Sequence, residues 1–292
     1  MWKMGKTTIV EPILFGFMFC RYLLLAIEDQ LIYKKSCLLT FNETFCDLTS
    51  KNGTFYENEL NMLQKETADW KIYISIVRTI PPSVMTIIYS AWSDHVGRKT
   101  IIVLPIVGAT ISAMSLIINS HYLRYPVYYM LIGELFASPF GNFVAMISST
   151  FCYAADITCF SFRTQRIVIL ESIIYISGAI GHFSGGQILH YLGFVYIYGL
   201  ALLVDILTII YWLFLKESLK DSDLQEKKSL YEMFKLETFV DVFKFLSKKR
   251  KGKRRKEILI LFICFAFSCL CKLVSNYILS ILPIFCRLIN AH

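Results

Sequence analysis

Ser93-Asp94-His95-Val96-Gly97-Arg98-Lys99 sits between two long apolar runs, residues 72–92 and 100–120. An acid, a glycine and two adjacent cations make a tight charged turn. Each flank is long enough to cross a bilayer, which takes about 20 mostly apolar residues. Gly97 permits a sharp reversal between helices. Asp94 can accept hydrogen bonds at a helix end, and Arg98 can hold a carboxylate through two parallel contacts. A breakable charge cluster between two membrane helices suits a gate. The plainer alternative is a solvated turn.

The composition agrees with a membrane setting. Hydrophobic residues make up 55% of the 292 positions and charged residues 18%, whereas soluble domains carry about 25% charged residues. Apolar windows of spanning length occur at residues 9–32, 72–92, 100–120, 127–151, 167–191, 194–215 and 258–285. All are expected to be helices, because lipid offers the backbone no hydrogen-bond partners. The first is expected to stay in place as a membrane helix and not to act as a cleavable leader, since it contains Glu11, Arg21 and Glu28 and no small-residue cleavage site follows.

Charge placement gives an expected orientation. Residues 216–256 hold 14 of the 30 Lys and Arg. Together with Lys3, Lys6, Arg98, Lys99, Arg163 and Arg166, they fall on one side of alternating spans and predict a cytosolic N-terminus. The opposite loop contains Asn42-Glu43-Thr44 and Asn52-Gly53-Thr54, two glycosylation acceptors. It also contains Cys37 and Cys46, which either pair with each other or leave one bonded elsewhere. The formal charge of +8 is concentrated in the 216–256 segment, and no basic face continues beyond it, so nucleic acid is not an expected partner. That segment carries Tyr231, Phe234, Phe239, Val242, Phe243 and Leu246 at helical spacing before a basic run. It reads as an interfacial helix on anionic lipid, or as a plain topology anchor.

Ionisable groups inside spans are costly and mark function or pairing. Glu171, Tyr175, Gly178, His182 and Gly185 share one helical stripe, in which Glu171 is a candidate proton carrier or half of a structural salt bridge. Gly181 and Gly185 form a small-xxx-small pair that lets a neighbouring helix approach. Glu134, Ser138, Asn142, Ala145 and Ser149 make a second stripe, lining an interior or joining helices. Arg21, Glu28, Arg78, Asp205 and Lys272 are further intramembrane charges, and some of them must pair. Arg21 is the most central cation, a candidate either for an anionic solute group or for a structural pair with Glu171 or Glu134. Arg21, Glu134, Asn142 and His182 are taken as the candidate substrate cavity. Asp156, Arg163 and Arg166 form a second charge set on the cytosolic side. No metal-ligand cluster, nucleotide loop or nucleophile–base pair is visible, so no enzyme activity, cofactor or metal is expected.

Together these residues resemble the proton-coupled folate transporter and thymic stromal cotransporter group of the major facilitator superfamily. The resemblance begins at Val10-Glu11-Pro12, passes through Ser93 to Lys99, Ala155-Asp156, Arg163-Thr164-Gln165-Arg166 and Leu170-Glu171, and reaches Gly185-Gly186, which adds Gly186 to the packing glycines. It implies two six-helix bundles with solute bound between them, Glu171 as the proton-coupling acid, and Asp94, Gly97, Arg98 and Lys99 as the gating motif. Glu134 stands where the folate transporter has an arginine.

The expected organisation is an all-α membrane protein. Residues 1–215 form a six-helix bundle, 216–256 a basic cytosolic loop and 257–292 a seventh helix opening a C-terminal bundle that is missing here. The expected function is proton-coupled symport of a small organic, anion-like solute across the plasma or an endolysosomal membrane. The alternatives are a seven-helix receptor and a truncated, non-transporting membrane protein.

Overall fold

The computed structural model describes residues 9–41, 43, 45–46, 57–218, 260, 263–264 and 267. Asn42, Asn52, most of the basic 216–256 segment and most of the seventh expected span lie outside the described residues. The described chain is mostly helical: α1 (Glu11–Thr40), α2 (Glu57–Val96), α3 (Arg98–His121), α4 (Tyr128–Ala137), α5 (Asn142–Ile157), α6 (Arg163–Leu192) and α7 (Phe194–Leu213). A 3-10 turn, Ser138–Phe140, joins α4 to α5, and another, Phe160–Phe162, precedes α6. No strand occurs among the described residues. Five stretches are long and apolar enough to cross a membrane: α2, α3, the α4–α5 rod, α6 with its leading turn, and α7.

Two helices outrun their apolar windows. α1 continues to Thr40 and α2 already begins at Glu57. Apolarity marks where lipid ends, whereas the backbone ladder ends only where caps or breakers stop it. These polar extensions are tied down at their outer end. A Cys37–Cys46 disulfide closes the end of α1. Lys35 is fully buried and donates to the carbonyl of Asn119 at 3.0 Å, to Asn119 Oδ1 at 3.2 Å and to the carbonyl of Tyr122 at 3.2 Å. A cation thus satisfies the last carbonyls of α3.

The fourth expected span is broken. Pro139 lacks an amide donor, and Gly141 (φ +89°) and Asn142 (φ +45°) adopt left-handed backbone. The Tyr89 hydroxyl donates to the Pro139 carbonyl at 2.5 Å, so the break is satisfied from α2. Ser138, Ala145 and Ser149 nonetheless stay buried, Ser138 beside Glu134 and the other two against Tyr89 of α2.

α1 is the central helix. It lies along α6 and also touches α7 and α2, while α3 packs on α7, α4 and α5. Val10, Ile13, Leu14 and Phe17 meet Ile102, Met146, Tyr153 and Leu170 at the end carrying the 93–99 turn. Cys20, Leu23, Ile27 and Leu31 meet Ile74, Met130, Ile197 and Tyr198 towards the disulfide end. Outward-facing Tyr175, Phe183 and Phe136 are more than 60% exposed, as befits a lipid-facing or partner-facing surface.

Glycines set the α1–α6 spacing. A Cβ at Gly181 would lie 2.8 Å from the Phe19 carbonyl oxygen, and one at Gly185 2.9 Å from that of Leu23. Gly178 sits beneath the Tyr22 ring. Gly186, expected among them, meets nothing within 4 Å. It follows Gly185 by one residue, and a 100° step turns it off the α1-facing stripe. Gly181→Val should therefore destabilise the bundle by about 1–3 kcal/mol through overpacking. Gly186→Val should stay within about 0.5 kcal/mol. Thermal unfolding in detergent would reverse this account if both variants melted alike.

Candidate functional site

Two clusters of charged side chains organise the bundle, one at the 93–99 turn and one in the interior. At the turn, Gly97 has φ +106° and precedes the first residue of α3, which has no capping side chain of its own. The cap comes from far along the chain. Glu217 accepts from the backbone N–H of Arg98 at 2.8 Å, of Lys99 at 3.2 Å and of Ser218 at 2.9 Å. A carboxylate on these orphan donors also meets the positive end of the helix dipole. A Cβ at Gly97 would collide with that carboxylate, so glycine serves both the backbone angle and the cap.

The turn's cations are held as well. Arg98 Nε pairs with Asp156 Oδ2 at 3.0 Å, and its Nη1 donates to Ser93 Oγ. Lys99 Nζ donates to the Leu213 carbonyl at 3.0 Å and lies 5.1 Å from the centre of the Trp212 ring. Trp212 Nε1 returns a bond to the Lys99 carbonyl at 2.9 Å. The turn thereby ties α2 and α3 to the ends of α5 and α7. The side chain of Asp94 lies outside the described residues.

The expected Asp156, Arg163 and Arg166 set is not a set in the structure. Asp156, at the end of α5, goes to Arg98. Arg166, one turn into α6, pairs with Glu11 of α1 at 2.7 Å. Arg163 stacks over the Phe160 ring, 5.7 Å away. Each cation serves the helix it lands on, because the 3-10 turn between α5 and α6 separates them.

The interior cluster centres on Arg78 of α2. Its Nη1 and Nη2 reach the two oxygens of Glu28 at 2.8 and 2.6 Å. Its Nε and Nη2 reach the oxygens of Glu134 at 3.0 and 2.9 Å. Ser112 donates to Glu134 as well. Glu28 and Glu134 are 5% and 3% exposed, so both acids depend on this one guanidinium. Arg's planar fork suits such a double clamp.

Arg21 stands beside the clamp, within electrostatic reach of Glu134, Glu28 and Asp205. With Glu134, Ser112, Ser138 and Asn142 it lines a cavity of about 10 Å³, roughly the space of one water. Three of the four expected cavity residues therefore come together. The fourth, His182, lies against Tyr22, their rings 5.3 Å apart. Glu171 is exposed on α6, away from this cluster. Near the disulfide end, a cleft of about 640 Å³ is bordered by Lys34, Gln64, Phe194 and an Asp29–Lys71 ion pair of 2.8 Å.

Sequence reasoning missed Glu217 and the pairing of Arg78 with both acids. The first left a signal, a carboxylate directly after the apolar run ending at Leu215. The second left only the seven-residue interval between Arg21 and Glu28, which puts them on one face of α1.

The profile of the Major Facilitator Superfamily matches residues 48–290. The lysosomal proton-coupled steroid conjugate and bile acid symporter of Gallus gallus is 27% identical over 272 residues, covering 89% of this chain and 58% of that protein. The proton-coupled folate transporter of Bos taurus is 27% identical over 139 residues, covering 47% of this chain and 30% of that protein. Among solved structures, the human organic anion transporter MFSD10 (TETRAN) superposes with a TM-score of 0.59 at 14% identity, covering 85% of this chain and 57% of that one. The chain spans 58% or less of the length of these relatives. These three relatives are all transporters.

Removing the Glu217 cap with Glu217→Ala should cost about 0.5–2 kcal/mol. Hydrogen exchange at the amides of Arg98, Lys99 and Ser218 should quicken accordingly, while α4 amides stay protected. Unchanged exchange at those three amides would show that the cap is not formed.

Proposed function

Because the chain belongs to the major facilitator superfamily, and is thus an integral, multi-pass membrane protein, we propose that it supplies the N-terminal bundle of a proton-coupled symporter of small organic anions. In this reading residues 1–215 form the first six-helix bundle, residues 216–256 a basic cytosolic loop, and residues 257–292 the first helix of a second bundle. Solute binds between the bundles, and rocking of one against the other exposes it alternately to each side. The N-terminus and the 93–99 turn face the cytosol.

The observation that carries the proposal is the setting of Arg21. It is a cation inside the bundle with no carboxylate in ion-pair contact among the described residues, while its neighbour Arg78 is saturated by Glu28 and Glu134. A cation left over in a low-dielectric interior attracts an anionic group strongly. Asn142, Ser112 and Ser138 line the same small cavity and offer polar groups to the rest of a solute. The relatives' names point to steroid conjugates, bile acids and folate. Glu134 occupies the place of the folate transporter's arginine, so amphipathic steroid-type anions suit this interior better than folate. The Gly97, Arg98, Lys99 and Glu217 cluster, with Asp94 in the same turn, acts as the cytosolic gate, breaking as the bundles rock. Glu171, on the exposed face of α6, exchanges protons with water between the bundles.

Full-length protein in proteoliposomes, supplied with a bile acid or a steroid sulfate, should take up solute when an inward proton gradient is imposed. Arg21→Gln should raise KM about tenfold, or about 1.4 kcal/mol, and Glu171→Gln should slow gradient-driven uptake. Uptake indifferent to the gradient would contradict symport, and an unchanged KM in Arg21→Gln would remove the anion contact.

A further inference from the structure

The interior holds more acids than guanidiniums. Arg21 and Arg78 face Glu28, Glu134 and Asp205. With every group ionised, the cluster would carry one uncompensated negative charge. Burying such a charge is costly, and a proton on one carboxyl removes it. Glu28 and Glu134 are each hydrogen-bonded to Arg78, and Glu134 also to Ser112. Asp205 of α7 has neither arrangement. It is 1% exposed, and its Oδ1 has no hydrogen-bond partner.

The surroundings of Asp205 are few. α1 brings the Cys20 thiol, which also donates to the Ala201 carbonyl at 3.5 Å, and Arg21, with Glu28 two turns further along. Across Arg21 lie Arg78 and Glu134. α3 packs on α7 and carries no ionisable side chain from Thr100 to Ser120. α6 also touches α7 and carries Glu171, Tyr175, His182 and His190, none of which is paired with Asp205 among the described residues. Gly16 of α1 admits Thr208 so closely that a Cβ there would collide with its hydroxyl. That contact, one turn along α7, holds Asp205 against α1 and away from lipid.

We propose that Asp205 binds a coupling proton, and that its protonation decides whether Arg21 is available to an anionic solute. The proposal rests on the symport reading above. When Asp205 is ionised, Arg21 is its counter-ion. A hydronium ion delivers a proton to the carboxylate, leaving water and a neutral acid, and no bond of the solute changes. Arg21 is then released to the solute anion. The absence of an Arg21–Asp205 ion pair among the described residues corresponds to this released state. Reciprocal linkage follows: solute and proton each raise the other's affinity by the same factor. Glu171, outside the cluster, hands protons to and from the aqueous side and does not store the one that governs Arg21.

Infrared difference spectra of the reconstituted full-length protein, taken between about pH 5 and about pH 8, test the assignment without any solute. Wild type and Glu171→Gln should show a titrating carboxylic-acid C=O band that Asp205→Asn lacks. Bile-acid binding to wild type should weaken about tenfold or more over the same range. Asp205→Asn should bind with the wild-type acid-side affinity at every pH. A band that persists in Asp205→Asn, or an unaltered pH dependence of binding, overturns the proposal. If Asp205→Asn does not fold, Asp205→Glu carries the test, since its band must titrate at a displaced midpoint and an undisplaced one overturns the assignment. An intact Asp205 band in a protein without gradient-driven uptake counts against symport while supporting the proton site.

Discussion

The bundle depends on one guanidinium. Arg78 reaches from α2 to Glu28 on α1 and Glu134 on α4, and these acids are almost sealed from solvent. Lipid would tolerate none of the three alone. Their mutual satisfaction fixes the rotation of three helices about their axes, because turning any one of them would carry its charge out of reach. The apolar clusters on either side of this layer supply cohesion, but an apolar stripe would accept many rotations. The charges select one.

The same logic operates at both ends of the bundle with different chemistry. At the disulfide end, buried Lys35 closes the C-terminus of α3. At the other end, Glu217 closes its N-terminus. α3 is thus capped at each end by a side chain of the complementary charge from another segment of the chain. Its own sequence provides no such cap, since Gly97 precedes it and Tyr122 follows it. A helix held in this way is fixed at both ends to other parts of the described bundle.

Much of this was legible in the sequence. Five of the seven apolar windows coincide with helices long and apolar enough to cross a membrane, and the Gly97 turn located the junction between α2 and α3. The glycines at 178, 181 and 185 marked the close face of α6, because periodicity in a helix is a geometric fact. Helix ends were less legible, since hydropathy reports the lipid boundary and not the end of the hydrogen-bond ladder, as the polar ends of α1 and α2 illustrate. The charge pairings were not legible. Arg21, Arg78 and Glu134 lie on different helices, and only their relative rotation decides that Glu134 goes to Arg78. Gly186 was assigned to packing on resemblance, although its angular position places it in the open.

The account stands or falls on whether these buried charges face each other. Thermal unfolding of the detergent-solubilised protein is the most direct measurement. Arg78→Met strands two buried carboxylates and should cost about 3–5 kcal/mol. The triple variant Arg78→Met, Glu28→Gln, Glu134→Gln should recover most of that loss. A single variant that melts with the wild type, or a triple variant as unstable as the single, would contradict the charge layer on which the arrangement is built.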